Sequence, residues 1–394
     1  MAEGKAASTL RVGTALRFVL PRWIAFCALC IVTGISMQVL PGMAERAQLY
    51  IDSWSHNLVF GDAMGSLTIT ELGYSDSDRE VSPAVRFPLY PLMVRWAAPL
   101  FGGDTSLSAF WVSKIALLAG LVGLWVLVEH LHGAQHANRT TPYMLFPFLG
   151  TAYTWIYSYP EAAYLALWTW GFVLLFKKAY YGCALVTILA VWSRPHAVLI
   201  LIPYALYLLI ETYRERRPLG DSALWRAGLL TCGLPLIAFA AWVLHVSQIS
   251  ALPFAPITAQ TEYGRAEQVV LPWMQIPRRL EYMQTYGVFA FNWTVLFENY
   301  QLISIMVSLI LFGLFALWRR VPLVIVAFSI LTIIPGLSTG IFAIGRYALL
   351  TWVPLAALYI VPPKYDAVLL PLLIGMNYLV LFVTEFSDAA EYVP

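Results

Sequence analysis

Long apolar runs that are nearly free of charged residues recur along this chain, and short polar connections separate them. A helix needs about 20 apolar residues to cross a bilayer whose hydrocarbon core is roughly 30 Å thick. The pattern therefore predicts an all-α polytopic membrane protein with about 11 transmembrane helices. The predicted spans are residues 17–40, 107–129, 142–157, 161–176, 180–194, 196–211, 224–247, 298–317, 321–337, 347–361 and 367–384.

The composition agrees with this class of protein. Of the 394 residues, 60% are hydrophobic and 12% are charged, and the mean hydropathy is +0.71. A single soluble domain of this length could not enclose so much apolar surface in one core. We therefore expect one integral membrane domain over residues 1–394, surrounded by membrane lipids and without a nucleic-acid partner.

The loops differ in charge and in length. Lys and Arg concentrate in the short connections on the side of the N-terminus, for example at Lys177 and Arg216. The positive-inside rule then places the N-terminus in the cytoplasm. The opposite side carries two long segments rich in aromatic residues and proline, 41–106 and 248–297. We expect amphipathic interfacial helices in the first of them, and a functional site that faces the bacterial periplasm or the lumen of the endoplasmic reticulum.

Asp62 is the first candidate for chemistry. On a helix it shares one face with Ser66, Ile69 and Gly73, at steps of four, three and four residues. A carboxylate that faces a cavity beside the membrane can accept the proton of an attacking hydroxyl group, which is the role of a general base. The alternative is an acidic residue that only stabilises or caps the start of a helix.

Two more charged residues fall on the same predicted side of the membrane. Glu161 ends the turn Ser158–Glu161, and Arg194 lies in the turn Ser193–His196. These two side chains could pair across neighbouring helices. Ionisable groups at membrane depth are functional candidates, but helix capping or a purely structural ion pair would explain both residues equally.

The same side holds candidate phosphate-binding cations. Arg346, at the start of a late span, carries a planar guanidinium group that matches phosphate oxygens; the alternative is that it reaches toward lipid head groups. Lys114 lies near the outer end of the second span, and Arg86 lies in a stiff proline-rich stretch. A carboxylate base with several cations beside a membrane favours attack of a hydroxyl group on a lipid-linked phosphosugar. Weaker candidates on this side are Arg265, Arg278 and Arg279.

The order of these motifs resembles that of the phosphatidylinositol-glycan class V mannosyltransferase family, whose members are integral membrane glycosyltransferases of the GT-C class. Two positions depart from the family pattern, because its Trp before the Asp is Gly61 here and its aromatic pair after the Asp is Gly65-Ser66. These departures indicate a divergent relative of prokaryotic type. The resemblance is carried by Asp62-Ala63, Leu67, Ile69, Gly73-Tyr74, Phe87-Pro88-Leu89-Tyr90-Pro91-Leu92, Ser158 with Glu161, Ser193-Arg194-Pro195, Arg346-Tyr347 and Pro354.

The resemblance implies a GT-C-like fold and a hexose donor, most often mannose, linked to polyprenyl or dolichyl phosphate. It implies an inverting transfer with Asp62 as the catalytic base. Arg346 is the first candidate for the donor phosphate, with Arg194 and Lys114 after it. The acceptor would be a hydroxyl group of a glycolipid, a glycan or a protein, and neither a cofactor nor an obligate metal is expected. The remaining substrate-binding candidates are Tyr74, Arg86, Tyr90, Glu161, His196 and Tyr347.

Two other classes of protein stay open at this point. A transporter or flippase for a lipid-linked sugar would use the same cations, but it would move the donor without consuming it. Such a protein is expected to carry charges along a path through the bilayer, whereas these charges lie on one side. A catalytically inactive scaffold of the same fold is the second alternative, because Gly61 and Gly65 stand where the family has aromatic residues.

Overall fold

The computed structural model describes residues 11–39, 53–59, 61–74, 83–148, 150–250, 254, 256, 258, 321–339 and 344–391. Within these ranges the chain is all-helical and has no β-strand, which confirms the all-α prediction. The predicted span 298–317 and most of the segment 248–297, with Arg265, Arg278 and Arg279, lie outside the described residues.

Fifteen α-helices lie in the described ranges. They are α1 (Val12–Val39), α2 (Asp62–Leu72), α3 (Leu89–Ala97), α4 (Thr105–His132), α5 (Ala134–Leu145), α6 (Tyr153–Ile156), α7 (Glu161–Phe176), α8 (Tyr180–Val191), α9 (Leu201–Arg214), α10 (Ser222–Gly228), α11 (Leu234–Ser250), α12 (Leu323–Thr339), α13 (Ile344–Leu349), α14 (Ala357–Ile360) and α15 (Asp366–Glu391).

Several helical stretches have the length and composition of membrane spans. Across the described ranges, five are long and apolar enough to cross a bilayer, as a multi-pass membrane protein requires. They coincide with five of the predicted spans. The predicted total of about 11 spans and the GT-C fold stay predictions. The five stretches are Val12–Met37, Thr105–His132, Pro195–Arg214, Ser222–Ser250 and Pro363–Leu381.

The prediction of a single span over 142–157 is wrong. Helix α5 ends at Leu145, Phe146 adopts φ −126° and ψ 72°, and only the four-residue α6 follows. Pro147 disfavours a helical backbone at Phe146, because the proline ring collides with the residue before it. Tyr157 at the end of this segment is fully buried. The run is therefore apolar because it lies inside the helical bundle, where irregular backbone is shielded from lipid.

The predicted span 347–361 is also divided. Helix α13 ends at Leu349, a 3-10 helix covers Val353–Ala356, and α14 then runs for only four residues. Pro354 lies at the start of that 3-10 helix, a place where a proline is compatible with the backbone because its missing N–H is not needed. As a result, Arg346 is carried by a short helix and not by the end of a long span.

Helix α4 lies at the centre of the bundle and packs against α1, α5 and α7. Two glycines bring α7 close to it. A Cβ atom at Gly123 would lie 2.6 Å from Thr169 Oγ1, and one at Gly120 would lie 2.8 Å from Leu165 Cγ. Small residues of this kind allow close backbone approach between membrane helices. This contact sets the position of α7, whose first residue is Glu161.

The segment 41–106, which the sequence places outside the cytoplasm, contains helices α2 and α3; of the two, only α3 is clearly amphipathic, and their position at a membrane interface stays a prediction. Helix α2 buries Ser66 and Ile69, two members of the predicted face, and Gly73 follows the helix with a φ of 77°. Helix α3 buries one face and leaves Trp96 72% exposed on another. Both helices pack against each other and against α4, so the start of α2 is held at one end of the bundle.

Candidate active site

Asp62 is the first residue of α2 and follows Gly61, whose φ of 54° is a conformation that glycine adopts without strain. Its Oδ2 accepts a hydrogen bond from Arg346 Nη1 at 2.8 Å. The Asp62 side chain is 21% exposed, and the positive end of the α2 dipole favours a carboxylate at this position. Asp62 is therefore paired with a cation, and its side chain is still partly exposed at the protein surface.

Arg346 comes from α13, 284 positions further along the chain. Its Nη1 also lies 3.4 Å from Glu161 Oε1, and its guanidinium carbon lies 5.1 Å from the centroid of the Tyr159 ring. Burial acts to lower the pKa of Arg346, but the carboxylates of Asp62 and Glu161 hold that pKa well above its ordinary value. The group is a buried permanent cation with an aromatic ring against it.

Glu161 begins α7 and is fully buried. Its Oε1 accepts hydrogen bonds from Arg194 Nη2 and from Arg346 Nη1. One carboxylate oxygen therefore holds two guanidinium groups side by side. The ion pair between Glu161 and Arg194, which the sequence left open, is present in the structure.

Arg194 owes its position to the proline that follows it. Its backbone is extended, with φ −152° and ψ 145°, and Pro195 begins a 3-10 helix; a residue before proline favours this extended conformation. The next residue, His196, is 5% exposed. Its ring centroid lies 5.2 Å from that of Tyr164 and 4.7 Å from that of Tyr347.

The site therefore has a core of four charged side chains from four separate parts of the chain. We call this group the charge cluster: Asp62, Glu161, Arg194 and Arg346. It holds two carboxylates and two guanidinium groups, so its formal charges cancel. His196 and Tyr347 are two of the predicted substrate-binding residues. They lie beside the charge cluster, because His196 is two residues after Arg194 and Tyr347 directly follows Arg346.

Several buried polar atoms around the charge cluster have no hydrogen-bond partner within the described residues. They are Glu161 Oε2, Arg194 Nε and both ring nitrogens of His196. Buried polar atoms are almost always satisfied in folded proteins, so each orphan requires an explanation.

Tyr159 belongs to the site but was not singled out from the sequence. It is 4% exposed, and burial raises the pKa of its phenol well above the ordinary value, so it stays protonated. A Cβ atom at Gly61 would lie 2.9 Å from the Tyr159 hydroxyl oxygen. The sequence signal that could have indicated Tyr159 was its place in the turn Ser158–Glu161, two residues before the acidic residue.

Arg86 occupies the space that a side chain at position 65 would need. A Cβ atom at Gly65 would overlap the guanidinium group of Arg86, so that group lies directly on the surface of α2. The Tyr74 hydroxyl donates a hydrogen bond to the Arg86 backbone oxygen at 3.1 Å, and burial raises the pKa of Tyr74. Gly61 and Gly65, the two departures from the family pattern, thus make room for Tyr159 and Arg86.

Tyr90 supports the site from outside the charge cluster. Its hydroxyl oxygen lies 2.5 Å from the backbone oxygen of Ser158 and 3.1 Å from that of Ala109. Burial raises its pKa well above the ordinary value, so the hydroxyl group remains a hydrogen-bond donor. Tyr90 therefore fixes the turn that carries Tyr159 and Glu161, whereas the sequence predicts direct contact with substrate.

Lys114 has contacts that differ from its predicted role. Its fully buried Nζ donates to the backbone oxygens of Trp155, Ile156 and Tyr157 at 2.5, 2.9 and 3.3 Å. These oxygens lie at the end of α6, where carbonyl groups lack partners within the helix. The geometry gives Lys114 a role in stabilising the end of α6, and its three bonds leave no donor for a phosphate.

We expect Lys114→Met to lower the thermal unfolding temperature of the purified protein, with a loss of stability of about 1–3 kcal/mol, because it leaves buried carbonyl groups unsatisfied. Affinity of the folded fraction for a polyprenyl phosphate should not change. Lys364→Met, at an exposed lysine, is the control and should alter neither property. An unchanged unfolding temperature with weaker phosphate binding would instead restore Lys114 as a phosphate contact.

Comparison with known proteins adds no family assignment. No family model matches this chain, and no curated protein matches it.

Proposed function

We propose that this protein is an integral membrane glycosyltransferase that moves a hexose, with mannose as the first candidate, from a polyprenyl or dolichyl phosphate to a hydroxyl group. The acceptor is a glycolipid, a glycan or a protein. The observation that carries the proposal is the bond between Asp62 and Arg346, inside a buried cluster that contains a second arginine. A candidate base and two candidate phosphate-binding groups thus meet in one site.

Each member of the charge cluster has a role in such a transfer. Asp62 accepts the proton of the acceptor hydroxyl group as its oxygen bonds to the anomeric carbon of the hexose. The bond between that carbon and the phosphate oxygen breaks, and the electron pair leaves with the lipid phosphate. Arg346 and Arg194 stabilise the negative charge that develops on this leaving group. Attack opposite to the leaving group inverts the anomeric centre.

The surroundings of the charge cluster support a polar, sugar-bearing substrate at a membrane. Glu161 Oε2 and the ring nitrogens of His196 are buried without partners among the described residues, and hydroxyl groups of a hexose could bond to them. The apolar helices of membrane-spanning length provide surfaces for the lipid chain. The predicted topology, with the N-terminus in the cytoplasm, would place the site outside the cytoplasm.

The proposal is tested by incubating the purified protein with radiolabelled polyprenyl-phosphate mannose and a lipid extract as acceptor. We expect the label to move to a new product while free polyprenyl phosphate accumulates. Movement of intact donor across a proteoliposome membrane, without consumption, would show a transporter. Donor binding with neither transfer nor transport for any acceptor would show an inactive scaffold.

A further inference from the structure

A pocket lies at the opposite end of α7 from the charge cluster. Helix α7 begins at Glu161 and has 16 residues, so its two ends lie about 24 Å apart at a rise of about 1.5 Å per residue. The chain turns at residues 177–179 and returns through α8 toward Arg194. The distance between the pocket and the charge cluster is therefore close to the thickness of the hydrocarbon core of a bilayer, and the sequence predicts that the pocket faces the cytoplasm.

The pocket combines cationic side chains with an apolar wall. Its volume is about 750 Å³, which is within the range of small-molecule sites. The start of α8 and the turn before it form one side, and α10 with the π-helical turn Leu229–Gly233 forms the other. Such π-helical turns are rare and often occur at functional sites. Lys178 and Arg226 supply the cations, and Ala227 and Leu230 belong to the apolar wall.

Arg226 is the cation that is best placed to bind an anion in this pocket. Its Nη2 donates a hydrogen bond to the Tyr181 hydroxyl oxygen, and its guanidinium carbon lies 5.4 Å from the centroid of the Tyr181 ring. Among the described residues no carboxylate pairs with it, whereas Arg217 at the same end pairs with Glu215 at 2.7 Å. A guanidinium group has five N–H donors. Arg226 can therefore bind two phosphate oxygens while it keeps its bond to Tyr181.

Lys178 is the second cation, and its backbone has a φ of 56°. A residue in this left-handed conformation after a helix is usually glycine. The Lys178 Nζ donates a hydrogen bond to Glu215 Oε1 at 2.5 Å, and Glu211 Oε2 lies 3.7 Å away. An ammonium group has three donors, so Lys178 can hold Glu215 and an oxygen of a bound anion together. Cations outnumber carboxylates here, because the segments 177–182 and 211–226 hold six Lys or Arg and three Asp or Glu.

The surroundings of the pocket favour a lipid over a soluble anion. The pocket lies at the start of the stretch Ser222–Ser250, which is long and apolar enough to cross a bilayer. Trp225 and Leu229 on this stretch are 69% and 58% exposed, and Tyr181 is 65% exposed. Exposed Trp and Tyr side chains at the end of an apolar helix are typical of the membrane–water interface. A head group in the pocket would therefore have its acyl chains along the apolar surface of this stretch.

We propose that this pocket binds the phosphate group of an anionic phospholipid. Arg226 and Lys178 hold the phosphate oxygens, and the apolar wall contacts the first carbons of the acyl chains. Basic pockets at the cytoplasmic ends of membrane helices attract anionic head groups in this way. The site is separate from the charge cluster, so its occupancy does not depend on sugar transfer.

The test is a titration of the purified protein in detergent with palmitoyl-oleoyl-phosphatidylglycerol, in which native mass spectrometry measures the fraction of protein that carries bound lipid. One Lys or Arg near a membrane surface changes the affinity for anionic lipid by about fivefold. We expect Arg226→Gln and Lys178→Gln each to weaken binding by about that factor, and the double variant by about 25-fold. The unmodified protein should bind phosphatidylcholine, which has the same chains and no net charge, more weakly.

Arg214→Gln is the matched control. It removes one cation from the same end of the bundle, but the Arg214 side chain is 72% exposed and is not part of the pocket lining, so the affinity for phosphatidylglycerol should not change. Ala223→Phe tests the pocket without any change of charge. Ala223 is exposed and lines the pocket, so the added ring should fill part of the space and weaken binding by a factor similar to that of Arg226→Gln.

Three results would overturn the lipid site. Equal losses for Arg226→Gln and Arg214→Gln would show that only the net charge of this end attracts the lipid. Equal affinity for phosphatidylcholine and phosphatidylglycerol would exclude a requirement for an anionic head group. Inorganic phosphate is the third probe, and its binding to the pocket with no preference for phosphatidylglycerol would assign the pocket to a soluble anion.

Discussion

Asp62→Asn is expected to lower the rate of sugar transfer by about 10²–10⁴-fold, because a general base contributes an acceleration of that size. The asparagine side chain has the same shape and can still accept a hydrogen bond from Arg346. Arg346 also keeps its contact with Glu161, so the fold should be preserved. The measurement is kcat for transfer from polyprenyl-phosphate mannose, together with the thermal unfolding temperature of the variant.

Glu71→Gln is the matched control for this measurement. It changes a carboxylate on the same helix without touching the charge cluster, and its kcat should equal that of the unmodified protein. Full activity of Asp62→Asn would remove Asp62 from the role of base. The carboxylate of Glu161, whose Oε2 has no partner within the described residues, would then be the next residue to examine.

Glu161→Ala is expected to cause the largest loss of stability among changes in the site, about 3–5 kcal/mol, because breaking a buried ion pair leaves charge uncompensated. Here the buried guanidinium group of Arg346 and the partly buried one of Arg194 would lose their shared carboxylate and repel each other. We expect a lower thermal unfolding temperature, a smaller folded fraction by size-exclusion chromatography, and no measurable sugar transfer.

Glu211→Ala provides a matched comparison at an ion pair on the protein surface, away from the site. Glu211 also has two cationic partners, Lys178 at 3.7 Å and Arg214 at 3.3 Å, but all three side chains are partly exposed. Exposed ion pairs contribute about 0–1 kcal/mol, so the unfolding temperature should change little. A Glu161→Ala variant as stable as this control would contradict the assignment of Glu161 as the carboxylate that stabilises the guanidinium groups of Arg194 and Arg346.

The charge cluster was predictable in part. Glu161 and Arg194 lie in turns next to consecutive apolar runs, and such proximity in the chain made their pairing a reasonable expectation. The bond between Asp62 and Arg346 joins residues 284 positions apart, and no local pattern indicates it. The resemblance placed both residues in a substrate site but said nothing of a direct bond between them.

The roles of Lys114 and Tyr90 show why side-chain partners are harder to predict than positions. Both residues were expected to contact substrate, yet their polar groups bond to backbone oxygens at the end of α6 and in the turn before α7. The sequence hid the interruption of the helix between α5 and α6, because an apolar run that is buried in protein has the same composition as one that crosses a bilayer. A polar group in such an interior bonds to the nearest unsatisfied carbonyl.

The sequence by itself predicted an all-helical protein with apolar runs of membrane-spanning length. It also identified the four residues of the charge cluster as candidate site residues. These properties are local, because the free energy of placing a helix in lipid depends on the composition of a run of about 20 residues. Only the tertiary structure decided that Arg346 binds Asp62 and that Arg86 covers Gly65. Those contacts join residues that are far apart in the chain. Two features of the fold bring them together: the packing of helices against α4, and the interruptions of the helices around α6 and α13.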